Sequence, residues 1–192
     1  MYKRQVLRHE VNRGPGAAMD TGIRHVLSKA APGDLLVTLE ADGTSDLGIL
    51  SALLDVIRKG GRDVALASVY ARGGGIRNTS MPRVVLSAGA NALSRWVLGL
   101  QGVATYSSFY RVHRVEALRR VLERYGADMI KERGFTYAVE LLAKLVRTGA
   151  TIGEVPMTLD ASIRIGKSRM RIGRTIRGYL RLFVRLGLLE RR

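Results

Sequence analysis

Between Asp34 and Gly43 the chain reads Asp-Leu-Leu-Val-Thr-Leu-Glu-Ala-Asp-Gly, an apolar run that ends in two carboxylates one residue apart. A short continuous apolar run bounded by turn residues reads as a strand buried on both faces. Ligand sites of open α/β sheets lie at the C-terminal ends of such strands, where Glu40 and Asp42 stand. A second run of this kind covers Asp63 to Val69, and Ser45 can cap a helix through about Lys59 between the two. Strand, helix and strand in this order predict an α/β fold.

The remaining chain extends the same alternation. Helices are predicted over 16–30, with Ala17, Ile23, Val26 and Leu27 on the apolar side, over 82–98, over 115–125 and over 135–147. Short strands are predicted over 109–113 and over 151–157, the latter closed by Pro156, and residues 72–80 read as a glycine-rich loop. A polar, basic stretch over 160–171 leads into a last helix over 172–189. With 192 residues, 46% of them apolar, the chain can build one domain with a core. We expect that domain over 1–160, and over 161–192 a basic loop and amphipathic helix that either belongs to it or sits beside it at a membrane surface.

The absence of cysteine excludes a disulfide framework, a thiolate metal site and a cysteine nucleophile. No run of about 18 apolar residues is present to span a bilayer. The formal charge is +16, and ten basic residues against one acid from Ser162 to Arg192 supply more than half of it. Such a balance favours an anionic partner: nucleic acid, a phospholipid surface or a phosphorylated substrate. Two carboxylates one residue apart in an extended segment can both reach a hard divalent cation, although a solvated acidic turn has the same composition.

Further motifs follow in a fixed order. Asn12-Arg13-Gly14-Pro15-Gly16-Ala17 precedes the first helix, and Gly33-Asp34 precedes the carboxylate strand. Glu140-Leu141-Leu142 is followed by Gly149, then Glu154-Val155-Pro156 and finally Arg164-Ile165-Gly166-Lys167-Ser168. Over roughly Val11 to Phe183 this series resembles the family 2 glycosyltransferases of the polyprenyl-phosphate type. The resemblance implies a GT-A-type (Rossmann-like) mixed sheet with flanking helices. It also implies metal-dependent, inverting transfer of a sugar from a nucleoside diphosphate sugar to a dolichyl or undecaprenyl phosphate. Asp42 would hold Mg²⁺ or Mn²⁺ with Glu40 as its partner, and Asn12, Gly14 and Gly16 would face the donor. Arg164, Lys167 and Ser168 would form the acceptor-side loop over the phosphates, with Asp42, Arg164 and Lys167 catalytic, and Arg111 and Glu140 would serve the acceptor pocket.

Elementary chemistry is consistent with these roles. A leaving diphosphate gains charge in the transition state, which a divalent cation and Arg or Lys donors stabilise. A polyprenyl phosphate is already anionic at neutral pH, so its attack needs little general-base help.

The sequence also departs from the family pattern. Glu40 stands where Asp is usual and Thr44 where some relatives carry an amide, while Thr105 replaces an Asp and Phe109 a Gly ahead of Tyr110 and Arg111. His9, His25 and His113 have no ligand spacing and are expected to be surface or packing residues. Glycines 73–75 match neither GxxxxGK[ST] nor GxGxxG and read as a flexible loop.

Arg174, Arg177, Arg181 and Arg185 recur at three- and four-residue steps in the last helix, and Ile172, Ile176, Tyr179, Leu180, Phe183 and Leu186 take other faces. Such a helix is expected to lie in an anionic membrane interface at the cytoplasmic face, with Tyr179 and Phe183 inserted. Members of the family begin with a strand, a helix and a second strand whose acidic turn helps seat the nucleobase. Only 11 residues precede Asn12, so the chain is expected to be an N-terminally incomplete part of a longer enzyme, with an uncovered sheet edge. The rival expectation is a noncatalytic basic protein of the membrane surface or of nucleic acid, derived from such a domain. Against nucleic acid stands the lack of any zinc pattern or RNP-type aromatic motif.

Overall fold

The computed structural model describes residues 5–100, 102–165 and 172–189. In chain order it forms helix α1 (Pro15–Leu27), strand β1 (Leu35–Thr38), helix α2 (Leu50–Arg58), strands β2 (Val64–Ser68) and β3 (Gly75–Arg77), and helix α3 (Met81–Leu98). Strand β4 (Arg111–Arg114) follows, then helices α4 (Val115–Tyr125) and α5 (Tyr137–Arg147), strands β5 (Ile152–Pro156) and β6 (Thr158–Asp160), and helix α6 (Ile172–Phe183), which continues as a π-turn through Leu189.

The main sheet has the order β1-β4-β2-β5. β4 runs antiparallel to both neighbours while β2 and β5 are parallel, so β1, β2 and β5 point the same way. Their C-terminal ends therefore open on one side of the molecule, the side that carries ligand sites in sheets of this kind. β2, Val-Ala-Leu-Ala-Ser, is buried at every position because both faces are covered. On one face Val64 and Leu66 pack with Ile23, Leu118, Leu142 and Leu182 from four helices. On the other, Ala65, Ala67 and Val112 pack against Leu53 and Ile57 of α2.

The predicted strands and helices recur with ends shifted by a few residues, and two details differ. Residues 72–80 are only partly loop, since β3 pairs in parallel with β6, Ile76 opposite Leu159. Asp46, not Ser45, caps the turn into α2, its carboxylate accepting from Gly48 N at 2.8 Å. The last helix shares the core of the domain: Leu182 and Leu186 are wholly buried, and Arg147 donates to the Leu186 carbonyl at 2.6 Å.

Candidate active site

The chain leaves β1 into a turn that presents Glu40 and Asp42 at the open end of the sheet. Gly43 turns the backbone with φ +85°, a conformation that side chains with a Cβ resist. Thr44, itself buried, donates to Asp42 Oδ1 from its backbone nitrogen (3.1 Å) and from Oγ1 (2.6 Å). Ser45 Oγ accepts from Glu40 N at 3.2 Å. Local hydrogen bonds of the Asx-turn type thus hold the acidic turn within its own few residues.

A strap then crosses this turn. It starts at β6, where Asp160 Oδ1 accepts from Asn78 Nδ2 at 2.8 Å, and it ends with Arg164 donating from Nε to Asp42 Oδ2 (2.8 Å) and Ile165 N donating to the Asp42 carbonyl (2.7 Å). Beneath the strap lies a cavity of about 690 Å³. Its charged lining among the described residues is Glu40, Asp42, Arg83 and Arg164, and Phe109, Phe135 and Tyr179 supply aromatic surface.

The two carboxylates are driven apart in acidity. Burial and the neighbouring Asp42 push Glu40 above the usual carboxylate range, against the pull of Arg164. Burial also acts to raise Asp42, but the hydrogen bonds from Thr44 and the guanidinium of Arg164 outweigh it and hold the carboxyl below its ordinary value. The Glu40 carboxylate has no hydrogen-bond donor among the described residues. A desolvated, unpartnered carboxylate next to an ionised one fits a hard divalent cation, which takes one or two carboxylates and completes its shell with phosphate oxygens and water. Among the described residues no third histidine, cysteine or carboxylate joins them. Such a cation would complete its shell with water or with the oxygens of a phosphate-bearing ligand.

Other predicted site residues stand elsewhere. Asn12 Oδ1 accepts from Gly14 N (2.9 Å), and this turn abuts residues 132–133, outside the cavity lining. Gly16 N donates to the Arg133 carbonyl at 3.0 Å, and a Cβ on Gly16 would fall 1.8 Å from the Glu132 carbonyl oxygen, so close approach of two backbones demands this glycine. Arg111 and Glu140, expected at the acceptor pocket, are inside the protein. Arg111 braces the interior by donating to the carbonyls of Tyr106 (3.1 Å) and Ala138 (2.9 Å), and burial pushes it down to about 10. Glu140 accepts from the nitrogens of Lys131 and Glu132, from Lys144 Nζ (2.6 Å) and from Arg185 (2.8 Å), forming an ionic hub between α5 and the π-turn. Lys167 and Ser168 lie outside the described residues.

Thr105, in place of the family's Asp, lines the cavity as a neutral hydroxyl. It shares a hydrogen bond of 2.7 Å with Ser68, and Glu154 accepts from the nitrogens of Ala104 and Thr105. His113 is a packing residue, wholly buried, with neither ring nitrogen partnered. His9 bonds to Thr21 and His25 to Gln5. Phe183 is packed into the protein and Tyr179 lines the cavity, so these two do not insert into a membrane as the helix pattern alone predicted; each lies on a face that α6 turns to its own domain. Nothing local in the sequence marks Arg83 and Tyr179 as cavity residues; α3 and α6 carry them in. No helix among the described residues is long and apolar enough to cross a membrane.

Comparison with known proteins gives a consistent result. The family model described as Glycosyl transferase family 2 matches residues 2–122. Polyprenol monophosphomannose synthase of Mycolicibacterium smegmatis is 34% identical over 169 residues, covering 86% of this chain and 59% of that protein. Undecaprenyl-phosphate mannosyltransferase of Micrococcus luteus is 29% identical over 168 residues (88% and 65%). Dolichol-phosphate mannosyltransferase of Pyrococcus furiosus is 29% identical over 186 residues (96% and 48%). The chain thus spans between about half and two thirds of the length of these relatives. The crystal structure of glucosyl-3-phosphoglycerate synthase from Mycobacterium tuberculosis with phosphoglyceric acid superposes with a TM-score of 0.57 at 15% identity, covering 91% of this chain and 55% of that one.

Proposed function

The chain belongs to glycosyl transferase family 2 and has a mixed sheet of the GT-A type, and from that premise we propose that it carries the metal and acceptor side of a transferase that moves a sugar from a nucleoside diphosphate to a polyprenyl phosphate. The observation that supports this reading is the Glu40–Asp42 pair, with Arg164 hydrogen-bonded to Asp42, lining one cavity at the C-terminal ends of the parallel strands. Names of the three relatives all include mannose and a polyprenyl or polyprenol phosphate acceptor, so a mannosyl donor is the first to test.

Asp42 and Glu40 would hold Mg²⁺ or Mn²⁺, which when bound supplies positive charge to the leaving diphosphate. In this reading the acceptor phosphate oxygen forms the new bond to the anomeric carbon, and the electron pair of the broken bond leaves with the diphosphate. Attack from the face opposite the leaving group inverts the anomeric centre. Arg164, already at the carboxylate pair, is placed to donate to phosphate oxygens, and Lys167 and Ser168 would extend the same loop. Neither Glu40 nor Asp42 is free to act as a base while serving a cation, and no other carboxylate or histidine lines the cavity among the described residues. That composition suits an acceptor that arrives ionised. A lipid-linked acceptor would place the reaction at a membrane surface, and a nucleoside diphosphate sugar donor would place it on the cytoplasmic side. The test is Asp42→Ala: metal-dependent transfer to undecaprenyl phosphate should vanish, and undiminished transfer would remove the assignment.

A further inference from the structure

Of the buried side-chain polar atoms that have no hydrogen-bond partner among the described residues, the Tyr110 hydroxyl is the one that belongs to the cavity lining. Tyr110 is 1% exposed. Four other hydroxyls of the same lining are engaged with the protein. Thr79 donates to the Arg77 carbonyl (3.3 Å), and Ser87 accepts from the Tyr70 hydroxyl (2.8 Å). Thr105 bonds to Ser68 (2.7 Å), and Ser108 donates to the Tyr110 carbonyl (3.2 Å). A buried hydroxyl left unpaired carries its full desolvation cost, which a phenylalanine in its place would avoid. An orphan group of this kind at a cavity wall points to a partner that arrives with a ligand.

The residue is held firmly. Tyr110 stands directly before β4, whose Arg111 pairs with Thr38 at the end of β1. Its carbonyl also accepts from Ala67 N of β2 at 3.0 Å, and its ring packs in one cluster with Leu53, Ile57, Val155 and Met157. Backbone and ring are thus both fixed, beside the strand end from which the chain runs into Glu40 and Asp42. Burial, with the charge of Asp46 nearby, pushes the phenol above its ordinary value, so it is a neutral group that both donates and accepts.

We propose that the Tyr110 hydroxyl is a specificity contact for the sugar that is transferred, hydrogen-bonded to a hydroxyl of the hexosyl group. A phosphate is the poorer partner, because the field of Asp46 at this position opposes an anion, whereas Arg164 and a cation at Glu40 and Asp42 suit one. A sugar hydroxyl is neutral, and it too can donate and accept. This contact rests on the transferase reading.

Tyr110→Phe removes one oxygen and keeps the ring. Binding of GDP-mannose beside GDP, and of UDP-glucose beside UDP, is measured by calorimetry on parent and variant with Mn²⁺ present. The readout is the ratio of the sugar nucleotide's affinity to that of its free nucleotide, since a structural disturbance weakens both alike. For the sugar nucleotide that the parent prefers, this ratio should fall about fivefold in the variant, the worth of one neutral hydrogen bond. The urea midpoint should stay in place or rise. Monodeoxy analogues of that sugar give the same test from the ligand side: one position should cost the parent about fivefold and the variant nothing. An unchanged ratio overturns the proposal, whether the two affinities hold or drop together, and so does a series in which no analogue spares the variant. A parent that binds no sugar nucleotide would sink the transferase reading and this contact with it; a parent that binds one with a ratio indifferent to Tyr110→Phe would sink the contact alone.

Discussion

Arg164 donates from Nε to Asp42 Oδ2 at 2.8 Å and joins two residues 122 positions apart. With Ile165 N on the Asp42 carbonyl, this contact ties the strap to the acidic turn. A divalent cation at the turn and the Arg164 guanidinium would compete for the same oxygen. Both side chains are about a quarter exposed, so the pair contributes at most about 1 kcal/mol.

Arg164→Ala should therefore strengthen Mn²⁺ binding by about threefold in protein without donor, while lowering sugar transfer. Calorimetric titration measures the first and a transfer assay the second. Weaker Mn²⁺ binding in the variant would mean that Arg164 supports the cation and does not compete with it.

Gly16→Ala tests the origin of the Asn12–Gly16 turn. A methyl group there would meet the Glu132 carbonyl oxygen at 1.8 Å, and backbone cannot rotate away as a side chain can. A loss of about 3 kcal/mol in urea unfolding is expected, in the range of overpacking into a tight site. A loss below about 1 kcal/mol would show that the two segments separate freely.

Glu140→Ala should destabilise the fold by about 3–5 kcal/mol, because it leaves Lys144, 1% exposed, and Arg185 without their shared carboxylate. Arg185→Ala should cost less, since Lys144 keeps its partner. If instead Glu140→Ala folded normally and raised only the KM for the acceptor, a direct acceptor role would replace the structural one.

His113 gives the fold an acid limb. Burial, with Arg111 nearby, pushes its pKa down to about 3, well below the unfolded value near 6.5. The folded state thus binds fewer protons than the unfolded one between these values. Stability is fully present above about pH 6.5 and falls as pH drops toward 3, by roughly 1 kcal/mol per unit. His113→Leu should flatten that limb: denaturant unfolding at pH 7 and pH 5 should differ less in the variant than in the parent. Equal differences would assign the acid sensitivity to other groups.

Much of the fold was legible because the signals are local. The apolar runs 34–39 and 63–69 became β1 and β2, and the 3.6-residue spacing over 115–125 became α4 with the same ends. The acidic turn was legible for the same reason, since Asp42, Gly43 and Thr44 fix its shape among themselves. The β3–β6 pairing was not, because a three-residue strand is defined by a partner more than 80 positions away and carries no apolar period of its own.

The sequence by itself determined the alternation of strands and helices, the position of the carboxylates after the first strand, and the basic character of the last helix. Tertiary structure alone decided which charges meet. It put Arg164 on Asp42, withdrew Arg111 and Glu140 into the interior, and turned Tyr179 and Phe183 inward while Trp96 faced out. The physical reason is that backbone periodicity is set by neighbours three or four residues apart. The environment of a charge or a ring depends on what the folded chain brings beside it, and no local pattern encodes that.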